Sequence, residues 1–586
     1  MKPLSLRRKY GCRHFGVAPR TLPSLLLSML GLWLAAAPAR ADFTGDVVGT
    51  TVSGEQVSAG AQHVGAAGVT LSNTVLLGGV QNVDSGGTTI SSTVSTGGSV
   101  RIGTGGLASA TVLLSGGAEI VSSGGVSLSA TLNSGGQQNV LDGGVASAMA
   151  VSGSGSQAIS SGGIAFGGAI SSGGLQKIWT GGVASATTVV SSGAQNVYSG
   201  GVADLATVYA AGTQAVWSGG VAVQTVLSGG AETVWAGGVA SLTTISSGGL
   251  QYLYGGLATS NTLSSGGTQF VSSGGEAVST TVSSGATQYV MQSGVASQTV
   301  LSRGGAQIVY AGGVDIGAEL SGGVQTILSG GVGSNVTISA AGVQKVQSGG
   351  MAISTTLASG GVIALNGGEA SAAAIASGAV AYVGSGATAS GSLIAAGGLQ
   401  IVSAGGSAQG SQVVGTEYVQ IGGMTVTGTV QSGGVEQVDR GGSALSITLE
   451  NGAALALNGG SASAATVESG AVVSVGSGAL ASGSLIAAGG LQLVSAGGSA
   501  QGSVIDGVET VLDRGQSLSA TVQSGGVQTV SAGGLVSATT VASGGVQNLS
   551  SGAAAVGAAI SGGVQNVSSG ASTQQETLLA GGVQNL

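Results

Sequence analysis

Apolar residues recur in this chain at a fixed phase set by glycine. Counting from the residue after a Gly-Gly pair, the fourth position is Val, Ile or Leu in all 29 copies of the segment, from Val64, Val83 and Ile102 to Leu586. The third position varies freely, as in His63, Arg101, Lys177, Tyr252 and Ile401. This is a period of two, and it predicts a strand with its second and fourth residues facing inward and its third facing solvent. A second stretch in each repeat, such as Val183-Ala184-Ser185-Ala186-Thr187-Thr188-Val189, is also rich in β-branched residues and also ends near glycine. A helical reading would need apolar positions every 3.6 residues and far less glycine.

The glycine pairs set the repeat length. Pairs at 78–79, 86–87, 97–98, 105–106, 116–117 and 124–125 alternate in steps of 8 and 11, which gives a 19-residue repeat. Single-residue deletions at Gly229-Gly230 and Gly255-Gly256 do not lose the phase, and Ala364–Ser411 recurs as Ala456–Ser503, displaced by 92 residues. Short strands between glycine turns, repeated every 19 residues, predict one coil of an all-β parallel β-helix. Each glycine pair is expected to supply the positive φ of a tight corner. The solenoid is expected over residues 61–586, with 42–60 as the segment that enters it. Its 29 coils at ~4.8 Å each predict a single rod about 140 Å long.

The second position is polar although it faces inward. It is Gln in 19 copies and Glu in five: Glu119, Glu232, Glu417, Glu436 and Glu509. Stacked glutamines can bond amide to amide along the axis, so an internal amide ladder is expected, with a binding stripe as the functional alternative. Glu417 and Glu436 fall on successive copies. Two ionised carboxylates side by side in a dry interior would be costly, so that stretch is expected either to be wet or to share a proton.

The first 41 residues read differently. Lys2, Arg7, Arg8, Lys9, Arg13 and Arg20 precede the apolar run Leu22–Ala37, and Ala39-Arg40-Ala41 has the small-x-small form of a signal peptidase site. Cleavage between Ala41 and Asp42 is therefore expected, and with it export. Removing residues 1–41 takes seven of 13 basic residues and none of 21 acidic ones, leaving a net charge of −15. Such a surface repels nucleic acid and anionic lipid. All four Pro and the single Cys, Cys12, also lie in this segment, so the remainder has a Pro-free backbone and no thiols. Glycine supplies 117 of 586 residues, but a hydrophobic share of 42% is too high for a disordered chain.

The motif Gly-Gly-Val-Gln-Asn-Val-x-Ser-Gly-Gly at 78–87, repeated at 562–571 with a final Ala571, resembles the passenger repeat of AIDA-type self-associating autotransporter adhesins. The resemblance covers nearly all of the chain after residue 41. It implies a right-handed parallel β-helix at the outer surface of a Gram-negative bacterium, active in adhesion, cell–cell aggregation and biofilm. Implied partners are like passengers on neighbouring cells and host-surface or matrix glycans and proteins. An O-glycosyltransferase acting on Ser and Thr is also implied, with Thr187-Thr188, Thr243-Thr244, Thr280-Thr281 and Thr539-Thr540 as matching hydroxyls. Autotransporters end in a membrane β-barrel of ~10-residue alternating strands with aromatic girdles. After Tyr310 the only aromatics are Tyr382 and Tyr418, so no barrel is expected within these residues.

An enzyme is not expected, nor is any cofactor or metal. A carboxylate pair for polysaccharide cleavage must sit about 5–9 Å apart. Asp439 and Asp513 are 74 residues, about four coils, apart, and Glu436 and Asp439 should point to opposite faces. His63 is the sole histidine after residue 41, reads as a surface residue, and completes no Ser-His-Asp set. A polysaccharide-active or polysaccharide-binding β-helix is the alternative reading.

The fifth position supplies the candidate surface. It should face outward, and on five consecutive coils it holds Trp179, Tyr198, Trp217, Trp235 and Tyr254, with Met291 and Tyr310 further along. The coil spacing suits offset ring stacking, so these residues are expected to form either a stabilising ladder or a recognition strip.

Overall fold

The computed structural model describes residues 45–586. The expected signal segment and the Ala41–Asp42 junction lie outside the described residues. The described chain is an all-β parallel solenoid, with no helix among the described residues.

One coil shows how the repeat folds. Ala118–Val121, Val126–Leu128 and Thr131–Leu132 are its three strands, separated by glycine-bearing corners. Each pairs in parallel with its counterpart one repeat later: Ala118 with Gln137, Val126 with Val145, Thr131 with Ala150. Repeating this builds three stacked sheets, the first with 30 strands and the second with 29. The first strand runs buried at its second and fourth residues, as the alternation predicts. The fourth-position residues Ile102, Val121, Val140 and Ile159 form one apolar column inside the solenoid. Leu113, Leu132, Val151 and Ile170 from the third strand form another. Ala108, Ala146 and Ala165 from the second strand fill the narrower space opposite.

The two glycines of a corner have different tasks, which the sequence reading merged. Gly248 has φ +78°, a left-handed conformation that costs a side-chain-bearing residue. Gly249 follows it with no positive φ, but a Cβ there would lie 2.6 Å from the Leu227 carbonyl oxygen of the preceding coil. The first glycine turns the chain and the second lets two backbones meet. A further corner, after the second strand, turns without glycine in many coils: Ser129, Ala148, Ala186, Leu205 and Gln224 all have φ of 53–55°.

The expected amide ladder is present and fully buried. Gln157, Gln176, Gln195 and Gln214 each donate Nε2–H to the Oε1 of the glutamine one coil earlier, at 2.6–2.7 Å. Every amide of such a run needs a carbonyl or carboxylate behind it. At Val100 the ladder is interrupted, and the next rung is Glu119, which accepts from Gln138 at 2.6 Å and has no N–H to strand in the core. Glu509 stands where two amides converge, accepting from Gln492 at 2.9 Å and from Gln528 at 2.7 Å. At Glu119 and Glu509 a carboxylate thus stands where an acceptor is needed. Asp315, on the second strand, likewise accepts from Gln307 and Gln325, both at 2.8 Å. Burial raises Asp315 to about 6 and Glu232 to about 7, against the hydrogen bonds that lower them. Glu417 and Glu436 are both completely buried, so bulk water does not reach them.

Candidate functional site

The fifth position lies just past the buried fourth residue, where the first strand leaves the core and its side chain turns outward. Parallel pairing in strict register then puts equivalent side chains in line. Trp179 and Tyr198 stack with centroids 4.0 Å apart and planes 9° apart. Tyr198 meets Trp217 at 6.3 Å, Trp217 meets Trp235 at 5.3 Å, and Trp235 meets Tyr254 at 5.3 Å with a 32° tilt. Trp179, Trp217, Trp235, Tyr254 and Tyr310 are 36–41% exposed, each with one part on the sheet and one part in solvent.

The strip does not continue along the fifth position, as the sequence suggested, but moves sideways. Tyr254 packs at 6.0 Å against Tyr252 in its own strand, and Tyr252 stacks on Phe270 at 5.0 Å. Phe270 stacks on Tyr289 at 5.0 Å, and Tyr289 meets Tyr310 at 6.2 Å with a 41° tilt. Tyr310 therefore joins through the third position of the preceding coil, not through Met291. The sequence reading missed Tyr252, Phe270 and Tyr289. Their spacing of 18 and 19 residues carried the signal, but it was hidden in a position that otherwise varies freely.

This detour opens a recess on the fifth-position row. Ser272 and Met291 stand there between Tyr254 and Tyr310, and with Ser273 and Gln292 they line a shallow hollow of about 580 Å³. No charged side chain lines it.

Other candidate residues do not converge. Glu436 is buried and Asp439 is on the outside, where it accepts a hydrogen bond from Gln437 at 2.8 Å. His63 is exposed, in register between Asp46 and Asn82. No group of three or more His, Cys, Asp or Glu placed to hold a metal occurs among the described residues. The threonine pairs expected as modification sites divide by pleat. Thr187, Thr243, Thr280 and Thr539 face the core and are buried, which corrects the expectation for them. Thr188, Thr244, Thr281 and Thr540 are only partly buried and point outward.

Residues 251–305 match the family model described as "AIDA: Adhesin of bacterial autotransporter system, probable stalk". No curated protein matches the chain. Among solved structures, the chain is similar to the TibC-catalyzed hyper-glycosylated TibA fragment comprising its residues 55–350. The identity is 31%, over 57% of this chain and 97% of that one, with a TM-score of 0.30. The matched stretch holds the C-terminal part of the aromatic strip, Tyr252 to Tyr289, and stacks in register on the coils before and after it. On the family match, residues 251–305 are a stretch of AIDA-type autotransporter adhesin stalk.

Proposed function

We propose that the chain is an exported, cell-surface passenger that mediates adhesion and self-association, with the aromatic strip as its recognition surface. The observation that carries this reading is the unbroken run of nine rings, from Trp179 through Tyr254 and Tyr252 to Tyr310, on one face of the solenoid. Large contiguous apolar patches on the surfaces of exported proteins mark interaction sites. A stacked strip offers flat, rigid contacts at low cost in side-chain entropy. Its length lets many weak contacts act together between rods on adjoining cells. The adhesin family supports export and surface display, and the hyper-glycosylated relative supports an O-glycosyltransferase as a partner acting on outward hydroxyls such as Thr188 and Thr244.

The test is display of the full chain on bacteria through a fused membrane barrel. Cells should settle from suspension, and the Trp217→Ser/Trp235→Ser double variant should settle more slowly while keeping its β-sheet circular dichroism. Cells that stay dispersed at low and high salt would end the self-association reading.

A further inference from the structure

The recess between Tyr254 and Tyr310 differs from the rest of the strip. Tyr254 has Trp235 against one face, and in register beyond its other face stands Ser272, which has no ring to cover it. The next fifth-position side chain is Met291, 37% exposed. Two coil spacings, about 9.6 Å, separate the backbones at Tyr254 and Met291, which is twice a ring-stacking distance. One flat ring fits that interval and would continue the ladder.

We propose that this recess is a saccharide subsite that takes one pyranose ring of a neutral glycan. The inference rests on the recognition role of the strip and names its ligand class. The C–H face of a pyranose carries partial positive charge and suits the negative face of Tyr254, while the Met291 thioether packs against the opposite side. A pyranose also has hydroxyls around its rim. Ser273 and Gln292 stand at the edge of the recess, where their side chains can donate and accept. The uncharged lining favours a neutral sugar over an acidic one, as does the acid excess of the chain outside residues 1–41. Trp179 and Tyr310 each have a ring neighbour on one side only, but the Ser272 interval is flanked on both sides, by Tyr254 and Met291, so the proposal predicts one site there and not a row of them.

The experiment is titration of the purified chain with maltohexaose, cellohexaose and chitohexaose, followed by saturation-transfer NMR and Trp fluorescence. At least one oligosaccharide should bind with one site per chain. Tyr254→Ala should weaken it about tenfold, the scale of one lost stacking contact. Ser272→Trp should abolish it, because an indole there occupies the interval itself. Since Ser272→Trp extends the ladder, thermal stability should hold or rise, which separates loss of the site from loss of the fold. Absence of binding by all three sugars, or binding unchanged in Ser272→Trp, overturns the subsite. Concentration-dependent dimerisation of the free chain that Ser272→Trp removes also overturns it, in favour of a second copy as occupant. Clumping of cells that carry Ser272→Trp is read separately. If it persists while sugar binding is lost, the strip's adhesive role and the subsite both stand; if clumping never occurs in the parent chain, the adhesive role fails while the titration still decides the subsite.

Discussion

Glu417 and Glu436 stand opposite each other on successive coils, completely buried, and each has one carboxylate oxygen, its Oε2, that no donor reaches. The other oxygens are served: Glu417 accepts from Gln400 at 2.7 Å and Glu436 from Thr425 at 2.5 Å. Desolvation raises both acids, and the charge of Glu417 raises Glu436 further. A proton shared by the pair would remove the repulsion, and burial together with the mutual repulsion favours the pair holding one.

A pH dependence follows with a definite sign. Acids whose folded-state affinity for protons is raised bind more protons folded than unfolded, so stability is full below the unfolded value near 4.5 and declines as pH rises through the folded one. Thermal melts should give a lower midpoint at pH 8 than at pH 5. Glu436→Gln places an amide where it can donate to Glu417, so the melt of that variant should fall less between the same two pH values. An equal fall would show that other groups carry the dependence.

The glutamine ladder should be costly to break from one side. Gln195 accepts from Gln214 and donates to Gln176. Gln195→Leu fits the volume but strands a buried donor on Gln214 and removes the main partner of the Gln176 carbonyl. A loss of roughly 2–4 kcal/mol is expected, visible as faster hydrogen exchange in the coils around it.

The two glycines of one corner should answer differently to the same change. Gly248→Ala meets no atom within 4 Å and bears only the left-handed backbone cost of about 1 kcal/mol. Gly249→Ala drives a methyl group into the Leu227 carbonyl, which lies on backbone and cannot swing aside, and about 3 kcal/mol or more is expected. Chemical denaturation of the two variants under one set of conditions checks the order.

The three Trp residues beyond residue 41 all lie in the strip, so its optical signals report on nothing else. Trp217 and Trp235 stack at 5.3 Å with planes 12° apart. An exciton couplet in circular dichroism is expected, and Trp235→Ser should remove it. Removing one ring from the ladder breaks two stacked pairs, at about 0.5–1.5 kcal/mol each.

Much of this molecule follows from its sequence alone, because a solenoid repeats one local rule. The spacing of glycine pairs and the unbroken Val, Ile or Leu column fix the strands, their inward faces and the 19-residue register, as Val64 through Val567 show. Inward glutamines imply an amide ladder for the same reason, since parallel in-register stacking sets each amide against its counterparts on the coils before and after. What the sequence did not settle was direction and lateral placement. The polarity of the amide run decides why Glu119 and Glu509 are carboxylates, and that polarity exists only once the side chains are seated. Two glycines alike in sequence divide into a turning residue and a contact residue only when the previous coil lies beneath them. The side step of the ring strip from Tyr254 to Tyr252, and the recess it leaves beside Ser272, depends on the distance between columns across the sheet face. A one-dimensional period carries the spacing along the axis but not the spacing across it.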